Sequence, residues 1–443
     1  MTVTPAAKLS TDEILRLNRE YTFFSWSAQG KVNPIVIDRA EGVYFWDPDG
    51  KRYLDFNSQL MSINIGHGDT RVADAIAEQA HQLAFAAPQF ATEVRGRLGE
   101  LLSTVTPGDL NKFFFTLGGA EANENALRMA RIVTGRQKVI SHHRSYHGAT
   151  AGAISATGDP RRWESEPGVP GFIRVLDPWR WGKTEPEPVD EQLAYLEEVI
   201  QYEGAHTIAA FILETVTGTN GILIPPDGYL QGVRELCTRH GIMMIADEVM
   251  AGFGRTGRWF AVDNWDVVPD MLTMAKGLTS SYLPLGAVAL SPRVADYFTD
   301  KVYFGGLTYS SHPVSCAAAI AAVGVLRDDD LVGNAARLGP VMAAELAGLR
   351  ERHPSVGAVR NIGLFGCFEI VRNRETNELM APFNGSSPEM ADFDARLRAD
   401  GLYTMLHWNQ VFTNPPLSIS EAQLHEGFAI IDRALEVTDA AVS

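Results

Sequence analysis

Glycines between an apolar run and a helical pattern mark one place where this sequence could bind an anion. In residues 113–130, FFFTLGGAEANENALRMA, the run reaches Gly118 and Gly119, and the helical pattern follows. Such a turn lets the backbone approach an anion, which the free N–H groups of a helix N-terminus then bind. The spacing is neither G-x-G-x-x-G nor a P-loop, so a nucleotide is the weaker candidate. A tight strand-to-helix turn without a ligand also fits.

Two acidic residues end a second apolar run. In GIMMIADEVMAGFGRTG, residues 241–257, Asp247 and Glu248 stand where the predicted strand gives way to a glycine-rich loop. A carboxylate at the end of a buried strand needs a partner such as a cation, a metal or a protonated heterocycle. An aspartate that caps its own loop is the simpler interpretation, and this stretch alone leaves both open.

A lysine follows a third strand-like run. In TMAKGLTSSYLPLGAV, residues 273–288, Lys276 stands 29 residues after Asp247. A lysine held among apolar residues is shifted toward its neutral amine, the form that attacks a carbonyl. A lysine whose amine reaches the surface is the alternative.

Taken together, the three stretches match the needs of pyridoxal phosphate. The helix start would bind the phosphate, and Asp247 would keep the pyridine nitrogen protonated so that the ring accepts electrons. Lys276 would form the Schiff base and later transfer the proton.

These residues need a scaffold that brings several strand ends together. From about residue 66 to 325, short apolar strands alternate with helical segments. The predicted strands begin near residues 112, 138, 207 and 242, and the predicted helices cover 120–134, 190–203 and 227–240. This alternation predicts an α/β fold with a mostly parallel sheet covered on both faces. Ligands of such sheets bind at the carboxyl ends of the strands, and we expect residues 66–325 to form a large cofactor-binding domain.

Both ends of the chain predict a smaller α+β domain. Residues 1–65 contain a predicted helix at 11–24 and a predicted hairpin around the DPDG turn at 47–50. Residues 326–443 contain predicted helices at 331–352, 389–400 and 420–437 and antiparallel strands near 364–371. We expect the two terminal segments to pack together.

Composition excludes several other classes of function. The 443 residues carry a net charge of -16, which disfavours nucleic acid or an anionic membrane as the main partner. Cys237, Cys316 and Cys367 are scattered, so neither a disulfide framework nor a zinc site is indicated, and we expect no metal. The N-terminus shows no signal-peptide pattern, and no segment approaches ~18 continuous apolar residues. The cytoplasm is the expected compartment.

The motif ADEVMAGFGRTG, followed 29 residues on by AKGLTSSYLPLGAV, resembles the class III aminotransferases, which are fold type I pyridoxal-phosphate enzymes. Six further segments occur in that family's order: GVYFWDPDGKRYLDF, LGGAEANENALRMAR, SYHGAT, ETVTGTNGILIPPDGYL, TYSSHPVSCAAA and NPPLSISEAQ. The resemblance spans nearly the whole chain. It implies a transaminase with a ping-pong cycle and a homodimer with shared active sites, and it leaves open whether dimers pair into tetramers.

The resemblance also assigns residues to the cofactor ring. Lys276 would be the Schiff-base lysine, and Asp247 would pair with the pyridine nitrogen. Tyr146 and Val249 would pack on the two faces of the ring, and Glu214 would lie behind it in a supporting network.

The phosphate turn departs from the family pattern S-G-S-E-A-N. Gly119 and Ala120 would cradle the phosphate, and Thr308 of the partner subunit would reach it. Because the chain reads Gly118-Gly119-Ala120, two hydroxyl contacts are lost. Backbone N–H groups and Thr308 must then supply more of the binding, or water fills the gap.

A second departure concerns the substrate. Thr219 stands where glutamate-dependent relatives carry a glutamate, and Phe412 stands where they carry an arginine. The charge pair that binds and releases the α-carboxylate of glutamate is therefore absent. Pyruvate-dependent amine and taurine aminotransferases lack this pair too, and they often have an arginine where this chain has Met405. The pattern favours an ω-amine or primary amine donor, taurine and β-alanine included, with pyruvate as acceptor.

The group that binds the acceptor carboxylate stays open. A carboxylate without a guanidinium partner loses one of the stronger charge-assisted contacts. Arg161 or Arg162 in TGDPRRWE could reach the pocket, or they could form a solvated surface pair; otherwise His407, Trp408 and Tyr146 would hold a small keto acid more loosely. Four further residues are candidates for the substrate-pocket wall: Phe24, Trp26, Met61 and Met405.

Several rival functions also stay open. Within the fold, they are a 2-oxoglutarate-dependent enzyme of the ornithine or 4-aminobutyrate type and a decarboxylating or mutase relative. A non-catalytic scaffold could keep the fold. A nicotinamide-dependent oxidoreductase would need a G-x-G-x-x-G turn after an early strand, and no early predicted strand is followed by one.

Overall fold

The structure, a computed structural model, describes residues 9–180, 183 and 185–442. Within these ranges, none of the helices combines the length and the apolar composition that a membrane-spanning helix requires. The strands are β1 (Arg39–Glu41), β2 (Tyr44–Trp46), β3 (Arg52–Asp55), β4 (Lys112–Thr116), β5 (Lys138–His142), β6 (Phe172–Val175), β7 (Ile208–Glu214), β8 (Met243–Asp247), β9 (Met271–Met274), β10 (Gly286–Leu290), β11 (Val356–Ile362), β12 (Phe365–Asn373), β13 (Glu378–Leu379), β14 (Leu402–Tyr403), β15 (Leu406–His407) and β16 (Gln410–Thr413).

The α-helices are α1 (Thr11–Tyr21), α2 (Ser58–Met61), α3 (Thr70–Gln82), α4 (Glu93–Ser103), α5 (Gly119–Thr134), α6 (Ala151–Ala156), α7 (Val189–Glu203), α8 (Tyr229–His240), α9 (Pro292–Ala295), α10 (Pro313–Asp328), α11 (Leu331–Arg352), α12 (Pro388–Ala399) and α13 (Glu421–Asp439). Short 3₁₀-helices lie at Gln29–Lys31, Pro160–Ser165, Ala205–Thr207, Ala261–Asn264, Lys276–Leu278 and Asp296–Phe298.

A seven-stranded sheet in the order β4-β10-β9-β8-β7-β5-β6 forms the centre of the molecule. Strands β9, β8, β7, β5 and β6 pair in parallel, and β10 runs antiparallel to both of its neighbours. Every residue of β7, β8, β9 and β10 is buried, which is the expected result for apolar strands covered on both faces. The predicted α/β fold with a mostly parallel sheet is confirmed.

The register of this sheet aligns polar residues at its carboxyl edge. Glu214, the last residue of β7, pairs with Asp247, the last residue of β8, and Asp247 pairs in turn with Thr273 of β9. Lys276 follows the end of β9 by two residues. Residues separated by about 60 positions in sequence therefore meet at one edge of the sheet.

Helix α5 carries the glycine turn to the same edge. It begins after Gly118, whose backbone is extended, and ends at Gly135 in the left-handed conformation that favours glycine. Its buried face consists of small or apolar residues and two amides: Ala122, Asn123, Asn125, Ala126, Leu127, Met129 and Ala130.

The two ends of the chain share one sheet. Strands β1, β2 and β3 form an antiparallel meander, and β14 adds to β3 in parallel, with Leu402 opposite Leu54. The remaining strands form a second sheet in the order β11-β12-β16-β15, with β13 on β12. The expected packing of the terminal segments is therefore present. The division into 1–65, 66–325 and 326–443 stays a prediction, and α10 runs across its second boundary.

Arg255 fixes the glycine-rich loop after β8 to both terminal segments. Its side chain is fully buried, and its guanidinium donates to the carbonyls of Leu364 and Pro415 and to the side chains of Ser58 and Asn64. Burial lowers the pKa of Arg255 to about 9, and the charge of Asp55 opposes this shift. The loop that follows Asp247 is thus held in place by residues of both terminal segments.

Candidate active site

A cavity of about 370 Å³ opens at the carboxyl edge of the central sheet. It lies where β7, β8 and β9 end and where α5 begins. Its lining brings together residues from the separate sequence motifs: Gly118, Gly119, Ala120, Asn123, Tyr146, His147, Gly148, Glu214, Thr219, Asp247, Val249, Lys276, Thr279 and Ser281. Further apolar residues, among them Met250 and Leu285, complete the wall.

Lys276 enters this cavity from a strained backbone. Its φ is +39°, which lies in the left-handed region that residues other than glycine seldom adopt. Burial lowers the pKa of its amine, and the charges of Asp247 and Glu214 oppose that shift. The shift is toward the neutral amine, which is the nucleophilic form.

Asp247 is held by three donors from different parts of the fold. Its Oδ2 accepts from Asn123 Nδ2 at 2.7 Å and from His147 Nδ1 at 2.8 Å, and its Oδ1 accepts from the backbone N–H of Val249 at 3.1 Å. Asn123 is oriented in turn, because Thr273 Oγ1 donates to Asn123 Oδ1 at 2.7 Å. The carboxylate is 4% exposed, so its position is fixed while Oδ1 keeps capacity for a further donor.

Glu214 connects the sheet edge to the loop that carries Tyr146. Its Oε1 accepts from the backbone N–H of Tyr146 and its Oε2 from that of Gly218, both at 2.9 Å. Burial raises the pKa of Glu214 to about 7, an effect that the nearby charge of His147 reduces.

The start of α5 presents backbone N–H groups at one end of the cavity. The first intrahelical bond runs from Ala122 N–H to Gly118 O at 3.0 Å, so the N–H groups of Gly119 and Ala120 precede the hydrogen-bonded ladder. A Cβ on Gly119 would lie 2.7 Å from Val249 Cγ1, whereas a Cβ on Gly118 would meet open space. The turn can therefore admit a phosphate beside Gly118, and the residues present fit that group.

A polar cluster lies at the mouth of the cavity. Arg161 Nη2 donates to Thr219 Oγ1 at 2.6 Å, and its guanidinium carbon lies 3.6 Å from the ring centroid of Tyr146. His407 Nδ1 lies 2.6 Å from the Thr219 carbonyl, so that nitrogen donates. Arg162 instead pairs with Glu166. Arg161 and His407, the two candidates from the sequence for binding the acceptor carboxylate, thus both contact Thr219, a residue of the cavity lining.

The profile of the family described as aminotransferase class-III matches residues 26–435. The chain belongs to the class III aminotransferases. It is 32% identical to the putrescine–pyruvate aminotransferase of Pseudomonas aeruginosa over 92% of this chain and 91% of that protein.

Solved structures extend the comparison to the fold. A taurine:2-oxoglutarate aminotransferase from Bifidobacterium kashiwanohense, in complex with PLP and glutamate, has a TM-score of 0.95 and 43% identity and covers 99% of this chain and 100% of its own. An (S)-enantioselective omega-transaminase from Thermomicrobium roseum has a TM-score of 0.91 and 37% identity and covers 97% and 99%. The predicted fold type I architecture, the aminotransferase activity and the cofactor pyridoxal 5′-phosphate are confirmed.

The remaining predicted residues of this aminotransferase lie away from the cavity lining. Phe24 lines a separate groove with Arg398, and Trp26 is 67% exposed. Met61 and Met405 belong to an apolar cluster that also contains the lining residue Met250. The substrate-wall assignments therefore stay predictions. Thr308 is exposed and outside the lining, and its role in a partner's site also stays a prediction.

Sequence reasoning missed the residues that orient Asp247. Asn123 and His147 lay inside the motifs EANENALRMA and SYHGAT, but nothing in their spacing linked them to Asp247. One signal was available, because the face of α5 that carries small and apolar residues also carries two amides, at positions 123 and 125. No group of three or more metal-ligating side chains occurs within the described ranges.

Proposed function

We propose that this class III aminotransferase transfers an amino group from an ω-amine or primary amine to pyruvate in a ping-pong cycle. The donors are taurine-like and β-alanine-like compounds and aryl or alkyl amines, none of which carries an α-carboxylate. The observation that carries the proposal is Thr219, a neutral residue on the cavity wall where glutamate-dependent relatives place a carboxylate.

The residues that would hold the cofactor have separate tasks. Pyridoxal phosphate supplies, when bound, an aldehyde and an electron-withdrawing ring. The N–H groups of Gly119 and Ala120 would bind the phosphate, and Asp247 would accept from the ring N–H.

Lys276 would supply the amine that holds the aldehyde carbon. It would then take a proton from the amine-bearing carbon of the donor and deliver it to the former aldehyde carbon, because burial favours its neutral form. Val249 and the ring of Tyr146 line the same cavity and would confine the ring.

The surroundings of Phe412 and Met405, which stand where relatives carry an arginine, support a small acceptor. Phe412 is fully buried and pairs with Cys367 in the sheet, and Met405 is half-buried beside the same apolar cluster. A dicarboxylate has two anionic groups and would use a cation for each, and neither Phe412 nor Met405 can supply one.

The likeness to the taurine:2-oxoglutarate aminotransferase favours 2-oxoglutarate as the second candidate acceptor. The amino-loaded enzyme should be mixed with pyruvate or with 2-oxoglutarate, and the return of the cofactor absorbance followed. We expect a larger second-order rate constant for pyruvate. A clear preference for 2-oxoglutarate would refute the acceptor assignment.

We also propose a homodimer, in which Thr308 reaches the partner's phosphate site. The support is local: Thr308 and the adjacent Tyr309 are exposed, and Tyr309 packs edge-on against the exposed Phe85. Light scattering should give twice the chain mass of 48.5 kDa. A monomer with full cofactor affinity would contradict this arrangement.

A further inference from the structure

Arg161 has the position of a substrate-binding cation. It lies on the turn Pro160–Ser165, and its guanidinium contacts two residues of the cavity wall, Tyr146 through the ring face and Thr219 through the hydroxyl. It also lies near Lys276: burial chiefly lowers the pKa of that amine, Asp247 and Glu214 oppose the shift, and the positive charge of Arg161 makes the smallest contribution to it.

Asp159 fixes this guanidinium in place. The Asp159 carboxylate is 3% exposed and accepts from the backbone N–H of Arg161 at 3.0 Å and from its Nε at 3.0 Å. Asn220 Nδ2 also donates to Asp159 at 3.2 Å. The guanidinium is therefore oriented before any ligand arrives, which lowers the ordering cost of binding.

Part of the guanidinium stays available for an anion. Nε and Nη2 are used by Asp159 and Thr219, whereas Nη1 makes no hydrogen bond within the described residues, and the side chain is 27% exposed. The Thr219 hydroxyl is a neutral acceptor, and hydrogen bonds between neutral and charged groups are weaker than ion pairs. A substrate anion can replace it at lower cost than it could replace a glutamate at that position.

Within the part of the chain that the structure describes, no other arginine or lysine is placed to bind a substrate anion at the cavity. Lys276 is the sole lysine or arginine among the described lining residues, and its amine is used for the cofactor. Arg162 points elsewhere, because it pairs with Glu166 and donates to the carbonyl of Gly158.

We propose that Arg161, oriented by Asp159 and released from Thr219, binds the anionic group of the substrates: the carboxylate of the keto acid and the sulfonate or carboxylate of an anionic donor. The assignment rests on the proposed function, in which both half-reactions use one cavity. One cation at the mouth would then serve both substrates in turn.

The test separates charged from uncharged substrates in the holoenzyme. Arg161→Met should lower the second-order rate constant for β-alanine and for pyruvate by about 10- to 150-fold, the range of a lost charge-assisted hydrogen bond. The second-order rate constant for an uncharged aryl amine donor should change by less than about 3-fold. Arg161→Lys should recover part of the loss for the anionic substrates, because it restores the positive charge without the forked geometry of the guanidinium.

Three results would overturn the proposal. They are an equal loss for the uncharged amine, no loss for pyruvate and β-alanine, or an equal selective loss in Arg162→Met, which would assign the anion to Arg162. If 2-oxoglutarate proves to be the acceptor, the same selective loss measured with that acid keeps the role of Arg161 while the pyruvate assignment fails. The melting temperature of each variant shows whether it is folded. If Arg161→Met is misfolded, the comparison of charged with uncharged substrates is made with Arg161→Lys instead.

Discussion

A serine at position 118 should restore a phosphate contact that this chain lacks. Gly118 precedes α5 with φ of -175° and ψ of 179°, an extended conformation that any residue adopts. No atom of the described residues, apart from those adjacent in the chain, lies within 4 Å of the position that a Cβ on Gly118 would take. Gly118→Ser therefore adds a hydroxyl beside the N–H groups of Gly119 and Ala120 without a steric cost.

The size of the expected gain follows from the charge of the phosphate. A hydrogen bond to a charged group contributes about 1.5–3 kcal/mol, which corresponds to about 10- to 150-fold in Kd. Equilibrium dialysis of the apoenzyme against pyridoxal phosphate measures this Kd directly. Inorganic phosphate should also compete more strongly with the cofactor in the variant.

The adjacent glycine supplies a matched control. Gly119→Ser places its Cβ 2.7 Å from Val249 Cγ1, so the side chain must displace Val249, and cofactor affinity should fall. A serine at the N-cap could also bond to the helix itself, which would raise the melting temperature of the apoenzyme by capping alone. A higher melting temperature in Gly118→Ser with unchanged cofactor and phosphate affinities would refute the reasoning.

Two further predictions concern buried titratable groups. Lys276→Ala should lose both turnover and the visible absorbance of the lysine-bound cofactor, and retention of either by the purified variant would contradict its assigned role. Burial raises the pKa of Glu248 to about 7, so the stability it contributes is complete below the unfolded value of 4.5 and is lost as the pH rises through about 7. The free energy of unfolding of the wild-type apoenzyme should therefore fall by roughly 2.5 kcal/mol relative to Glu248→Gln between about pH 5 and pH 8, as measured by chemical denaturation. A difference that stays constant with pH would exclude this mechanism.

The sequence predicted the strands of the central sheet more fully than its helices. Apolar runs predicted the first residues of β4, β5, β7 and β8 to within one position. No helix was predicted at α10, because PVSCAAAIAAVGVLRD is apolar nearly all round and shows no amphipathic period. Strand order could not be derived either, since β10 inserts between β4 and β9 through contacts that leave no mark on local spacing.

In the candidate site, too, residues marked by a local sequence pattern could be predicted, whereas contacts between distant residues could not. Asp247 and Lys276 could be found because each follows an apolar strand, and strand ends converge in this fold. Arg161 and Arg162 could not be told apart from sequence, because the turn at Pro160–Ser165 decides which side chain faces Thr219. Tyr146 was expected from the resemblance, but its contact with that guanidinium was not.

The parallel pair of β3 and β14 has a consequence for synthesis of the chain. Leu54 emerges from the ribosome roughly 350 residues before Leu402, its partner across the two strands, and at ~5–20 residues per second this takes about 20–70 s. Throughout that interval β3 presents an open edge to the nascent chain and to its neighbours on the polysome. His407 and the hairpin that contacts Thr219 emerge only after β14. The cavity mouth is thus assembled last, when almost the entire polypeptide has been made.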